Sequence, residues 1–140
     1  MKCLGLDLGS RTLGMAISDK DGIVATSLKT VRHDEDYKGL TQVVLDVVKS
    51  EKIEKVVLGL PKNMNGTIGF KGELSMKFKD MLLEVLPCEV VLEDERLTTK
   101  LATSVLIKGD VSRKKRKNVI DSLAATFILQ GYLDRNRKWG

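Results

Sequence analysis

Residues 2–18 have the sequence KCLGLDLGSRTLGMAIS, and this stretch decides the fold. Two short apolar runs, 2–8 and 12–18, flank the polar triplet Gly9-Ser10-Arg11, and this pattern predicts two strands joined by a turn. A second turn signal, Asp19-Lys20-Asp21-Gly22, precedes a third predicted strand at 23–31. Because the connections are short, we expect the three strands to form an antiparallel meander.

After residue 31 the spacing of apolar residues becomes helical, and helices and strands then alternate. We predict further strands at 55–60 and 88–93. The helical stripes are Leu40, Val43, Val44, Val47 and Val48; Leu74, Phe78, Met81, Leu82 and Val85; Leu101, Ala102, Val105 and Leu106; and Val119, Leu123, Ala124, Phe127 and Ile128. The predicted fold is α/β, with a mixed five-stranded sheet of three antiparallel and then two parallel strands, and helices on both faces. We expect residues 1–140 to form one domain.

The net charge of +5 is concentrated in one segment of the chain. Six basic side chains lie between residues 108 and 117, against the single acid Asp110, and the rest of the chain is balanced. They are Lys108, Arg113, Lys114, Lys115, Arg116 and Lys117. Because residues 109–117 show no apolar periodicity, we predict a mobile loop that binds nucleic-acid phosphates. The alternative is a solvated run that serves solubility.

Composition argues against several classes of protein. No apolar run approaches the roughly 18 residues of a membrane span, so we expect a cytoplasmic chain with no leader and no membrane partner. Cys3 and Cys88 lie beside apolar runs, which predicts buried, reduced thiols. The single histidine, His33, argues against a Cys/His zinc site. Aromatic residues make up 4% of the chain, and we therefore expect no base-stacking platform.

Asp7 is a carboxylate inside an otherwise apolar strand. Burying such a group is costly unless it is paired, hydrogen-bonded or metal-bound, and Leu8 continues the strand beyond it. Asp7 is therefore a candidate metal ligand. The alternative is a strand-end acid that caps the turn at Gly9-Ser10.

Further acids follow the fifth predicted strand and lie in the last predicted helix. Glu93, Asp94 and Glu95 end an apolar strand at its carboxyl end, where ligands usually bind in open α/β sheets. A bound cation would relieve their mutual repulsion. Strand alternation places Glu93 and Glu95 on one face and Asp94 on the other. Asp121 borders the apolar stripe of its helix. The alternatives are a solvated acidic turn and an acid favoured by the helix dipole.

The acids Asp7, Glu95 and Asp121 could converge at one end of the sheet. Ligands that are all oxygen favour Mg²⁺ or Mn²⁺, and two such ions can support phosphodiester cleavage. Further candidates for phosphate contacts, besides the basic run 113–117, are Arg11, Lys62, Asn63 and Arg96. For the loop 59–66, which holds Lys62 and Asn63, the alternative is a plain strand-to-helix connection.

The sequence resembles the YqgF family, also called RuvX, over nearly the whole chain. The matching motifs are Asp-x-Gly at Asp7 and Gly9, Gly-x-Pro-x-x-x-x-Gly at Gly59, Pro61 and Gly66, Asp-Glu-Arg-x-Thr-Thr at 94–99, and Asp-x-x-Ala-Ala at 121–125. The resemblance implies a ribonuclease H-like fold and a hydrolase in which Asp7, Glu95 and Asp121 bind metal and catalyse cleavage. There is one departure from the wider superfamily. Its resolvases usually carry an acid on the fourth strand, which is absent here, so Glu95 would have to substitute from the fifth strand.

Three functions are compatible with this resemblance. The first is a metal-dependent nuclease that processes pre-16S rRNA, and the second is a Holliday junction resolvase. The third is a non-catalytic RNA-binding ribosome-assembly factor, which fits the missing acid. The segment Asp-x-Gly-Ser also resembles the phosphate loop of actin-like ATPases. Those proteins clasp nucleotide between two domains, and we expect no nucleotide cofactor here.

Overall fold

The computed structural model describes residues 1–63, 65–94 and 113–136, and residues 113–122 are described by their backbone alone. The elements within these ranges are β1 (Cys3–Leu8), β2 (Thr12–Ser18), β3 (Ala25–Arg32), α1 (Tyr37–Ser50), β4 (Lys55–Leu60), α2 (Phe70–Val85), β5 (Glu89–Asp94) and α3 (Arg113–Asn136). Their order agrees with the predicted order. The helix predicted from the apolar stripe at 101–106 lies outside the described residues.

The five strands form one mixed sheet in the order β3-β2-β1-β4-β5. Strand β1 pairs antiparallel with β2, which pairs antiparallel with β3. On its other side β1 pairs parallel with β4, which pairs parallel with β5. The predicted mixed sheet is confirmed, and β1 is its central strand. The carboxyl ends of β1, β4 and β5 therefore lie at the same end of the sheet.

Strand alternation divides the core between the two faces of the sheet. Leu4 and Leu6 of β1 pack on one face with buried residues of α1 and α2, including Val44 and Phe78. On the other face Cys3 packs against α3, which supplies Ala125, Ile128 and Leu129. Helices thus cover both faces, as predicted. Along β1, Gly5 and Asp7 share the α3 face with Cys3, because alternate residues face the same side.

One predicted strand boundary and one residue of a predicted apolar stripe differ from the structure. Strand β3 begins at Ala25, not at Ile23. The Asp19 carboxylate accepts hydrogen bonds from the N–H groups of Ile23 and Val24, at 2.7 and 3.1 Å, so these groups are not available to a strand ladder. In α2, Val85 of the predicted apolar stripe is exposed, whereas Phe78 and Leu82 are buried.

The basic run 113–117 was predicted as part of a loop, and this prediction is wrong for the described backbone. Residues 113–117 form the start of α3. Lysine and arginine have high helix propensity even without an apolar stripe. Helix growth also adds one hydrogen bond per residue once a packed segment has formed. Once the buried part of α3 has formed, the helix can therefore continue into residues 113–117 without further packing.

In the part of the chain that the structure describes, no helix combines the length and the apolar character that crossing a bilayer requires.

Candidate functional site

Asp7 lies near the carboxyl end of β1, half-buried on the face that α3 covers. Its partner in the sheet register is Gly14 of β2. Glycine has no side chain, and the neighbouring strand therefore leaves space beside the carboxylate. The sequence predicted the acid within the strand.

Helix α3 approaches β1 closely at Gly5. A Cβ atom on Gly5 would lie 2.7 Å from the Leu129 Cβ and 3.0 Å from the Ala125 carbonyl oxygen, so only glycine fits without a shift. Ala124 and Ala125 are buried as well, so small residues on both elements bring the helix near the sheet. Leu133, two turns further on, lies beside Gly22 at the opposite end of the sheet. The helix therefore runs antiparallel to β1.

This direction places the backbone of Asp121 at the same end of the sheet as Asp7. Asp121 lies one turn before Ala125 in α3, and Asp7 lies two residues beyond Gly5 in β1. The side chain of Asp121 is not among those described, and Glu95 lies outside the described residues. Among the side chains that are described, no three of His, Cys, Asp or Glu come together in a metal-binding group.

The acids at the end of β5 have separate cationic partners. Glu93 is 8% exposed and forms an ion pair with Arg135 of α3. An Asp94 carboxylate oxygen lies 4.0 Å from the Lys62 Nζ. Glu93 is paired with Gly59 and Asp94 with Leu60 in the β4 register, so the two acids face opposite sides, as predicted. Their charges are balanced by the protein itself, which weakens repulsion among them as an argument for a cation.

The turn after Asp7 is held by His33, whose role the sequence analysis missed. The Gly9 N–H donates to the Thr12 carbonyl at 2.8 Å, and the His33 N–H donates to the Arg11 carbonyl at 2.9 Å. The Glu35 N–H donates to His33 Nδ1 at 3.2 Å. Nδ1 must therefore accept, which leaves the proton on Nε2, and Nε2 donates to the Gly9 carbonyl oxygen at 3.0 Å. The buried imidazole links the turn of the candidate site to the segment before α1.

No sequence signal identifies His33 or Arg135 as contributors. His33 is the single histidine of a polar segment, and its partner at Gly9 is a backbone atom that any residue would supply. Arg135 lies 42 residues from Glu93 in sequence. Both contacts depend on the tertiary fold and not on local spacing.

The predicted phosphate-binding residues are distributed as follows. Arg11 is exposed in the turn that follows Asp7. Lys62 is paired with Asp94. The Asn63 side-chain amide donates to the Thr67 hydroxyl at 2.9 Å and so supports its own loop. Arg96 lies outside the described residues, and the side chains of residues 113–117 are not among those described.

The loop 61–69 contains a turn at Gly66. Gly66 adopts a φ of 88°, a left-handed conformation that glycine tolerates without strain. Its N–H donates to the Asn63 carbonyl at 2.8 Å. The Asn65 carboxamide oxygen accepts from both the N–H and the hydroxyl of Thr67, at 3.1 and 2.7 Å. The described residues of the loop are thus linked to one another by hydrogen bonds between β4 and α2.

Both cysteines are free thiols, as predicted, with Cys3 buried and Cys88 half-buried. Burial raises the pKa of the Cys3 thiol and of the Cys88 thiol. Each thiol is therefore protonated at neutral pH and is a poor nucleophile.

The fold and the arrangement of β1 and α3 define a ribonuclease H-like protein. Two solved structures of the RuvC protein of Thermus thermophilus, one in complex with a Holliday junction substrate, share this fold. They superpose with TM-scores of 0.55 and 0.53 at 16% sequence identity, and each comparison covers 96% of this chain. They cover 95% and 96% of the RuvC chains, respectively. At this identity the likeness concerns the fold alone.

The family is shown by comparison of sequences. A family model described as "RuvX: Holliday junction resolvase" matches residues 1–135, and the chain belongs to this family. Proteins of Staphylococcus aureus strains JH9 and N315 are 54% identical over 136 residues, which is 95% of each chain. Both carry the name "Putative pre-16S rRNA nuclease".

Proposed function

We propose that this chain is a nuclease that hydrolyses phosphodiester bonds during processing of pre-16S rRNA. One observation carries the proposal: the family's Asp-x-Gly motif places Asp7 at the carboxyl end of the central strand, on the face against which α3 packs. Asp121 of the closing family motif lies on that same helix. The family match over residues 1–135 supports phosphodiester hydrolysis.

The proposed catalytic groups are Asp7, Glu95 and Asp121, and we propose that they hold Mg²⁺ or Mn²⁺. Carboxylates are the donors that these cations prefer, and the half-buried carboxylate of Asp7 fits such a role. A divalent cation in such a site supplies Lewis-acid polarisation of phosphoryl oxygens and lowers the pKa of bound water. The chain's own contribution is positioning. His33 fixes the turn after Asp7, and Gly5 allows α3 to approach β1.

We favour RNA over branched DNA as the substrate because of the relatives. The relatives named for pre-16S rRNA are 54% identical, whereas RuvC with its junction is 16% identical. Because the family model is described as a Holliday junction resolvase, the Holliday junction is the second candidate substrate. The free thiols suit a reducing compartment, and we propose a cytoplasmic location.

A direct test compares cleavage of a pre-16S rRNA fragment and a four-way DNA junction, each with and without Mn²⁺. We expect Mn²⁺-dependent cleavage of the RNA. Asp7→Asn should lower the cleavage rate by more than about 100-fold, because it removes the charge of a proposed metal ligand and not merely a supporting contact. The matched control is Asp80→Asn, an exposed acid of α2 away from the proposed site.

The outcomes separate the three functions. Cleavage of the junction but not the RNA would favour the resolvase. Tight RNA binding without cleavage in any metal would favour a non-catalytic assembly factor. Full activity in Asp7→Asn would remove Asp7 from the proposed site.

A further inference from the structure

A cavity of about 270 Å³ lies beside the turn that follows Asp7, on the face of the sheet that α1 and α2 cover. Leu8 and Ser10 line it from β1 and the turn. Leu8 follows Asp7 directly, so the cavity and the proposed cleavage site lie on opposite sides of one strand end. Its volume is near the lower end for small-molecule sites, about 300 Å³, and suits a single flat ring system.

The inner wall of the cavity is held in place by aromatic packing. Tyr37, the first residue of α1, contributes to the lining. Its ring lies 5.5 Å from the His33 ring and 6.3 Å from the Phe78 ring, measured between centroids. Burial raises the pKa of Tyr37, which keeps its phenol neutral. The wall is therefore uncharged and preformed.

The outer side of the cavity presents an aromatic ring to solvent. Phe70, the first residue of α2, lines the cavity and is 79% exposed. A single exposed apolar side chain is common at protein surfaces, but at the rim of a cavity its ring is available to a bound group. An aromatic face beside a cavity of this size suits stacking with a nucleobase, since every base has a π-face.

Charged groups of both signs line the same cavity. Lys71 supplies a cation next to Phe70. No side chain caps the start of α2, so its first N–H groups can donate to an anion, while Glu73 adds a carboxylate to the same turn. Glu35 supplies a carboxylate. Its backbone is held in a left-handed conformation, φ 65°, while its N–H bonds His33. A carboxylate accepts hydrogen bonds from base N–H groups and repels phosphate.

We propose that this cavity holds one unpaired nucleobase of the substrate strand, stacked on Phe70. The adjacent phosphate contacts Lys71 and the start of α2, and Glu35 accepts a hydrogen bond from the base. The inference rests on the proposed nuclease function and adds a base-binding subsite to it. The low aromatic content predicted no stacking platform, but a count of residues does not show that Tyr37 and Phe70 line one cavity.

The test uses a single-stranded RNA oligonucleotide of the 16S precursor processing region, with 2-aminopurine at one position at a time. Fluorescence is measured in EDTA, so that cleavage plays no part. We expect quenching at one position in the wild type, its loss in Phe70→Ala and its retention in Phe70→Trp. Phe70→Ala should weaken binding by about 5- to 150-fold, the range for loss of one stacked base. Met76→Ala is the matched control, because Met76 is exposed on the same helix outside the cavity.

An abasic nucleotide at the quenched position gives a second arm. It should weaken binding to the wild type at least as much as Phe70→Ala does, because it also removes the hydrogen bond to Glu35. It should weaken binding to Phe70→Ala by a smaller factor than binding to the wild type, because the stacking partner is already absent. Equal affinity and equal quenching in Phe70→Ala and Met76→Ala would overturn the inference. If RNA cleavage persisted in that case, the subsite alone would fail. Position-specific quenching without any cleavage of the RNA would instead support the base-binding subsite and contradict the proposed nuclease function.

Discussion

At the scale of single residues, the two adjacent acids at the end of β5 have different surroundings. Glu93 is buried and forms an ion pair with Arg135, whose side chain is 62% exposed. Loss of Arg135 would leave a buried carboxylate without this cationic partner. Asp94 and Lys62 form a longer contact in which about a third of each side chain is exposed. Such pairs contribute about 0–1 kcal/mol. Asp94 is thus a supporting residue at the surface.

The difference between neighbouring acids leads to a prediction for activity. Asp94→Asn should lower the cleavage rate only slightly, because its pair with Lys62 is weak. Glu95→Gln should lower the rate by more than about 100-fold if Glu95 is a metal ligand. Single-turnover cleavage of the pre-16S rRNA fragment in Mn²⁺ measures both variants. Equal losses of cleavage rate, or a larger loss for Asp94→Asn, would show that the metal-ligand role was assigned to the wrong one of these two adjacent acids.

Sequence alone predicted which way the adjacent acids face but not what they contact. Alternation within a strand is a local property, and it placed Glu93 and Asp94 on opposite sides correctly. The partner Arg135 is brought to Glu93 by the packing of α3. The bond from His33 to Gly9 likewise requires the folded meander. Local patterns do not encode such contacts.

At the scale of elements, the distance between β1 and α3 depends on Gly5, because glycine has no side chain. Gly5→Ala would place a Cβ 2.7 Å from the Leu129 Cβ and 3.0 Å from a backbone oxygen, so α3 must shift. We expect a loss of about 1–3 kcal/mol in the free energy of unfolding. Cleavage should fall as well, since α3 carries Asp121. Urea unfolding and the cleavage assay measure the two effects.

The chain offers a matched control for this substitution. Gly131 lies in α3, and a Cβ there would have no neighbour within 4 Å. Gly131→Ala should therefore stabilise the protein by up to about 1 kcal/mol, through helix propensity, and leave cleavage unchanged. A Gly5→Ala variant as stable as the wild type would contradict the close packing of α3 on β1.

Element boundaries were predictable where the spacing of apolar residues determines them. They were not predictable where a side chain takes the hydrogen bonds of backbone N–H groups. The bounds of β4 agree with the apolar run 55–60. At β3, hydrogen bonds from the N–H groups of Ile23 and Val24 to the Asp19 carboxylate move the start of the strand to Ala25. These same bonds lower the pKa of the Asp19 carboxyl. The basic start of α3 was missed because helix propensity, and not burial, determines it.

At the scale of the whole molecule, the excess positive charge lies at one end of α3. Residues 113–117 form its first turns, and the helix leads from there past Asp121 to its contact with Gly5. Positive charge at a helix amino end is opposed by the helix dipole. The positive charge is therefore electrostatically unfavourable for the helix, and it lies at the end of the sheet where Asp7 lies.

The charge at this end should control binding to nucleic acid. The variant Arg113→Ala/Lys114→Ala/Lys115→Ala should flatten the dependence of log Kd on log salt concentration by about 0.7–0.9 for each lost phosphate contact, and so by about 2.1–2.7 if all three residues bind phosphate. Thermal stability should stay equal or rise, because alanine favours the helix and the unfavourable charge is removed. Filter binding at several salt concentrations measures the slope. An unchanged slope would place the nucleic-acid interface elsewhere.

The contact between Gly5 and Ala125 also has a consequence for biosynthesis. These residues are 120 positions apart, and at about 5–20 residues per second a ribosome takes about 6–24 s to make the chain between them. Within that interval, once Val57 has been made, the apolar face formed by Cys3, Ala16 and Val57 is not yet covered by α3. A nascent chain therefore needs protection from aggregation at this face. On the proposed function it also emerges without Asp121, so the enzyme stays inactive towards ribosomal RNA while the ribosome is still making it.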